Sequence, residues 1–206
     1  MPKKTKKQIA QFMRRLYKQG LTTTSGGNIS VRHKDTVYIT ASQTDKGKMK
    51  AKDVGTVDLS GNNLSPALPL SMETQMHLAI YTTRPDVRAI VHAHPVAATT
   101  LSASPNLIDT GLNGEARALL GKPAFAPYQL MGSKALAEEA AKAAAESNII
   151  ILQHHGIVAL GCNLLKAFDR LELTEMAARG TIIRKTMGID AHLTADQLKE
   201  LDDLML

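Results

Sequence analysis

Cysteine is nearly absent from this chain: Cys162 is the only one in 206 residues, which excludes a disulfide framework and a structural metal site closed by thiolates. Tryptophan is missing, and three phenylalanines with four tyrosines leave little on which nucleic-acid bases could stack. No run approaches the roughly eighteen uncharged apolar residues of a membrane span. Met1-Pro2-Lys3-Lys4 lacks the apolar segment of a secretory signal, so a cytoplasmic location is expected. Acidic residues are missing from the first eighteen positions, where Lys3, Lys4, Lys6, Lys7, Arg14, Arg15 and Lys18 stand. The formal charge of +6 is concentrated there, because the remainder balances at 18 basic against 19 acidic residues. That basicity reads as the solvated face of one helix, and neither nucleic acid nor a membrane is expected as a partner.

With 44% hydrophobic residues the chain is long enough to bury one substantial core, and no segment reads as a linker; one domain over residues 1–206 is expected. Ile9, Phe12, Met13, Leu16 and Tyr17 form an apolar stripe on a helix that stops at Gly20. Residues 29–31 and 37–40 read as an antiparallel hairpin, and Val54 to Leu59 as a third strand. Ser71 is placed to cap a helix from Met72 to Thr82, with Glu73 in its first turn and Pro85 beyond its end. Residues 89–94 read as a buried strand, and Pro95 as part of the first turn of a short helix. A short extended piece lies at Phe125-Ala126, and an alanine-rich helix starts at Ser133. Strands at 149–152 and 157–160 flank a turn, a long helix runs from Leu164 to Met187 up to Gly188, and Thr194 to Gln197 is a capping box. This alternation predicts an α/β protein with a central mixed sheet covered by helices on both faces.

Two histidines one residue apart, His92 and His94, sit at the end of the apolar run Ala89-Ile90-Val91. A strand carries residues i and i+2 on one face about 6.5 Å apart, which suits two imidazoles converging on one ion. A third imidazole follows the apolar run Ile149 to Leu152, in Gln153-His154-His155-Gly156, where spacing alone leaves His154 and His155 both open. Three nitrogen ligands with a place left over is the pattern of a catalytic ion. Hydrolase sites with a His-x-His dipeptide fit less well: Pro95, Val96 and Ala97 stand where one class continues with Asp and His, and 206 residues are few for a (β/α)8 barrel.

A second constellation is Ser25-Gly26-Gly27-Asn28, Thr40-Ala41-Ser42 and Ser71. Small residues at turns and helix starts let backbone N–H groups approach an anion, so together the three clusters are candidates for a phosphate cradle. Taken singly, each is ordinary turn and cap chemistry. Cys162 reads as a small buried residue, His77 as a core or rim histidine, and His33 and His192 as loop residues.

Gly27 to Arg32, Ile39 to Ser42, Ser71-Met72-Glu73 with Met76-His77, Val91 to His94, Ala126-Pro127-Tyr128 with Gly132, and Leu152 to Gly156 together resemble the class II aldolase/adducin-head family, in order and spacing, over nearly the whole chain. The resemblance implies a three-layer α/β/α sandwich with a largely antiparallel mixed sheet, and a homotetramer with active sites between subunits. It implies Zn2+, with Mn2+ or Co2+ as alternatives, held by His92, His94 and His155. It makes Glu73 the acid–base carboxylate, and gives phosphate to Asn28, Ser42 and Ser71 with Ser25 and Gly27 beside them. The implied activity is a zinc-dependent aldehyde-lyase that reversibly cleaves a phosphorylated ketose of the L-fuculose-1-phosphate kind to dihydroxyacetone phosphate and an aldehyde through a stabilised enediolate.

The chain departs from that pattern in three places. Met72 replaces a second serine, Gln43 replaces a glycine, and no tyrosine occurs between Asn106 and Leu120, where the family's aldolases carry a proton donor. Lys46 is a candidate for a compensating charge-assisted contact to phosphate, although a lysine in such a turn is ordinarily exposed. Without the tyrosine, epimerisation, dehydration or decarboxylation on the same site remain as rivals. A non-catalytic, adducin-like interaction module is a further alternative, against which the intact histidines and Glu73 count.

Overall fold

The computed structural model describes residues 2–204, and its strands form one seven-stranded sheet in the order β3-β2-β1-β4-β7-β6-β5. These are β1 (Asn28–His33), β2 (Thr36–Thr40), β3 (Val54–Asp58), β4 (Ala89–Ala93), β5 (Ala124–Ala126), β6 (Ile149–Leu152) and β7 (Gly156–Gly161). Among the described residues only β5 and β6 pair in parallel. That pairing needs a crossover, which is supplied by α5 (Lys134–Glu146), the alanine-rich helix capped by Ser133.

Strand periodicity divides the core in two. Ala89, Val91 and Ala93 of β4, Ile149 and Ile151 of β6, and Ile157 and Ala159 of β7 face one helical layer. That layer holds α1 (Pro2–Lys18), α3 (Val96–Leu101), α4 (Gly114–Leu120) and α6 (Leu164–Met187). Ile90, Ile150, Leu152, Val158 and Leu160 face the other layer, made of α2 (Thr74–Thr83) and α5. Each fully buried aliphatic side chain contributes about 1.5–3 kcal/mol of transfer free energy, so burying both faces of the sheet holds the layers together. The chain therefore has the three-layer α/β/α architecture expected of it, and α7 (Ala195–Asp203) begins at the expected Thr194 capping box. No helix among the described residues is long and apolar enough to cross a membrane.

Four expectations need correction. Helix α2 starts at Thr74, not Met72, with Glu73 in the cap position at φ −94°, ψ 15°. The Ser71 hydroxyl accepts from Glu73 N at 3.3 Å and the Ser71 carbonyl from Thr74 N at 3.0 Å, so the serine closes a turn ahead of the helix instead of capping its first turn. Pro95 takes the cap position of α3 rather than a place in its first turn. Lys46 is 2% exposed because its ammonium folds back on the Ala41 carbonyl and Thr44 hydroxyl. Cys162 is exposed, lying after the last residue of β7 where the chain turns into α6. One helix had no counterpart in the sequence reading: α4, capped by Asn113 Oδ1 accepting from Ala116 N.

Candidate metal centre and oxyanion cleft

The site forms where the middle of the sheet ends. Strand β4 delivers His92 on the α2-facing side of the sheet, opposite Asn28 of β1 and Val158 of β7. His94 follows one residue past the strand end. The turn from β6 to β7 carries Gln153, His154 and His155; His154 adopts the left-handed conformation at φ +52°, leaving its ring exposed while His155 turns inward to 3.1 Å from Glu73.

Ring nitrogens of His92, His94 and His155, the three candidate ligands, lie within 4.8 Å of one another. His92 Nδ1 donates to the Ile157 carbonyl at 3.0 Å, since a carbonyl only accepts. Its Nε2 therefore presents a lone pair in the neutral ring, and it faces His94 Nε2 at 3.0 Å and Glu73 Oε2 at 3.1 Å. Glu73 Oε1 lies 3.1 Å from His155 Nε2. Electron-pair donors converging in this way, with His92 buried and His94 and His155 half-buried at the cleft, fit a divalent cation, with the Nδ1–H to carbonyl bond orienting the His92 ring. The fit is tight around the rings. A Cβ on Gly156 would stand 2.6 Å from the Ala93 carbonyl and 2.7 Å from His94 Cδ2, so no larger residue can follow His155 without moving the end of β4.

Charge sets the protonation of the cluster. Burial pushes Glu73 toward its neutral form, but the adjoining imidazoles of His92 and His155 outweigh it and hold the carboxyl far below the usual range. Burial likewise lowers His92, and the Glu73 carboxylate more than reverses this. Burial, with the charge of His92 and then His155, takes His94 down to about 3. His94 thus offers a free lone pair at neutral pH.

A cleft of about 360 Å³ opens beside the histidines, bordered by Ser25, Gly26, Gly27, Asn28, Ser42, Lys46 and Ser71, whereas Thr40 and Ala41 of the second cradle cluster are buried away from it. Gly27 has φ +67°, and a Cβ there would lie 2.8 Å from the His92 carbonyl, so the loop approaches β4 only because this residue is glycine. Met72 and Met131 complete the wall, the latter absent from the sequence reading. His77, read as a core or rim histidine, is wholly buried behind Asn28, while His33 and His192 are exposed away from the cleft. Burial takes His77 down to about 3, with the charge of His92 acting in the same direction.

Residues 7–182 match the family model described as the class II aldolase and adducin N-terminal domain. The chain belongs to this family. Its relatives include an L-fuculose phosphate aldolase of Methanocaldococcus jannaschii, 37% identical over 86% of this chain and 96% of that one. A 3-oxo-tetronate 4-phosphate decarboxylase of Haemophilus influenzae is 32% identical over 96% of each chain. A solved L-fuculose 1-phosphate aldolase superposes with a TM-score of 0.86 at 32% identity, covering 98% of this chain and 95% of its own.

Proposed function

We propose that this family member is a divalent-metal aldolase that cleaves a ketose phosphate to dihydroxyacetone phosphate and an aldehyde. The observation that carries the reading is the placement of three convergent imidazoles and one buried carboxylate at the edge of a cleft walled by hydroxyl, amide and ammonium donors. In this reading His92, His94 and His155 hold the ion, with Zn2+ favoured by an all-imidazole donor set and Mn2+ or Co2+ able to replace it. When bound, the ion supplies Lewis acidity to a chelated carbonyl and its neighbouring hydroxyl.

The remaining work falls to side chains. Asn28, Ser42, Ser71 and Lys46 bind the phosphate, helped by Ser25 and the Gly27 backbone, and this fixes the distance from the anion end to the imidazoles. Glu73 takes a proton from the substrate and returns it, reaching the reacting atoms from the imidazole edge it occupies. Met72, in place of a second hydroxyl, gives one wall of the phosphate end an apolar surface, so a smaller set of donors carries the anion. A tetramer with sites between subunits follows from the same reading, and the exposed Met72 and Met131 on the cleft wall would lie under a neighbouring copy.

A second reading is favoured by one observation: the segment from Asn106 to Leu120 carries no tyrosine, and a 3-oxo-tetronate 4-phosphate decarboxylase stands among the relatives. Loss of carbon dioxide from a 2-hydroxy-3-oxo acid phosphate leaves the same enediolate as aldol cleavage and needs no group to take the hydroxyl proton that forming an aldehyde releases. Incubating the zinc-loaded protein with ketose 1-phosphates and with 3-oxo acid phosphates, then identifying the products, separates the two. Aldehyde release supports the aldolase, carbon dioxide release supports the decarboxylase, and neither product with any substrate sinks both.

A further inference from the structure

We propose that His77 is a positioning residue: it fixes the orientation of the Asn28 carboxamide, setting one amide N–H against Glu73 and leaving the other for an anion in the cleft. The inference rests on the proposed role of Asn28 at the phosphate end of the site.

The polarity of the buried chain can be worked outward from its charged end. Asn28 Nδ2 lies 2.8 Å from Glu73 Oε2, and an ionised carboxylate only accepts, so the amide nitrogen must face it. The Asn28 oxygen then faces inward and lies 2.5 Å from His77 Nε2, which must be the donor. His77 Nδ1 is left as the acceptor in the neutral ring, and the Ser30 hydroxyl 2.7 Å away donates to it. Ser30 Oγ in turn accepts from the Tyr81 hydroxyl at 2.8 Å. Tyr81 and Ser30 thereby select the Nε2–H tautomer of His77, and His77 selects the rotation of the Asn28 amide.

Sequence and fold make this chain stiff. His77 and Tyr81 are one turn apart on α2, while Asn28 and Ser30 are two residues apart on β1, so both pairs project from packed elements onto the same sheet face. Ser30, His77 and Tyr81 are each 0% exposed, so their polar atoms are satisfied by one another and by Asn28. A carboxamide rotated by 180° would set its oxygen against the Glu73 carboxylate and withdraw the N–H from the cleft. His77 prevents that rotation without touching the substrate.

The test compares His77→Leu, which removes the donor, with His77→Gln, which keeps an N–H donor at similar reach. For each zinc-loaded variant, inorganic phosphate binding is measured by calorimetry, turnover by product release, and folding by thermal midpoint and zinc content. The expected result is about tenfold weaker phosphate binding and at least a tenfold lower kcat for His77→Leu, with His77→Gln within about threefold of wild type on both. Equal losses in the two variants, with zinc bound and the fold intact, would overturn the inference, as would wild-type phosphate binding in His77→Leu. Wild-type protein that turns over no sugar phosphate yet binds phosphate with this dependence on residue 77 would refute the proposed reaction and uphold the positioning role.

Discussion

His92 Nε2 and His94 Nε2 face each other across 3.0 Å while His92 Nδ1 is already committed to the Ile157 carbonyl. Two imidazole nitrogens at that separation need a proton or a cation between them. A bound ion relieves this crowding only in the folded state, so metal and stability are linked. At a free zinc concentration a hundredfold above Kd the gain is about 2.7 kcal/mol, roughly 5–10 °C in thermal midpoint for a chain of this size. A zinc titration followed by scanning calorimetry should show this shift, a chelator should abolish it, and His155→Ala should remove most of it. A midpoint indifferent to zinc would count against the metal centre.

Glu73 touches His92, His155 and Asn28, yet its proposed work is proton transfer. Glu73→Gln keeps the shape and the capacity to hydrogen-bond while removing the base, so kcat should fall about 10²–10⁴-fold with bound metal retained. Steady-state kinetics alongside elemental analysis checks both halves. Loss of the metal together with activity would show that the carboxylate serves chiefly as a ligand.

Lys46 gives the account its pH dependence. Burial, partly countered by Asp53, brings its ammonium down to about 8 from an ordinary value of 10.5. Between those two values the unfolded chain holds a proton that the folded chain lacks, so this group makes the protein more stable as pH rises. Phosphate binding runs in the opposite direction, because the ammonium is lost as pH climbs through 8. KM for a phosphorylated substrate should therefore rise above pH 8. Lys46→Met should flatten that limb and raise KM about tenfold or more at neutral pH, the worth of one charge-assisted hydrogen bond. A KM profile through pH 9 with the same shape in both proteins would contradict the assignment.

Glu175 supports the segment after His94 from behind. Its buried carboxylate accepts from Ala97 N at 3.2 Å and Ala98 N at 2.9 Å, capping α3 from across the fold, because Pro95 at the cap position has no side-chain acceptor of its own. Arg179 Nε holds the same carboxylate at 2.8 Å. Glu175→Ala leaves these buried N–H groups unpaired and should cost about 2–4 kcal/mol, with weaker zinc binding because α3 begins two residues after His94. Denaturant unfolding with a zinc titration would test this; unchanged stability would remove the cap from the account.

Much of the architecture could be read from local pattern. Helix α6 has the expected ends because Gly188 stops it in the left-handed conformation at φ +66°. The apolar runs at 89–91 and 149–152 became interior strands, and with them came the imidazoles at their ends. What stayed hidden depends on contacts between distant segments. The burial of Lys46 follows from a carbonyl at Ala41 that its own turn folds toward, and the late start of α2 follows from Glu73 being drawn to the histidines. The Tyr81–Ser30–His77–Asn28 chain exists only once β1 lies under α2, so no spacing within either segment discloses it. Helix α4 escaped because Gly114 opens it and its seven residues offer little periodicity.

The most direct test is anomalous diffraction at the zinc edge from crystals grown with zinc. A single strong peak within bonding distance, about 2.0–2.1 Å, of nitrogens from His92, His94 and His155 is the expected result. An edge peak elsewhere, or none between those three rings, would contradict the account.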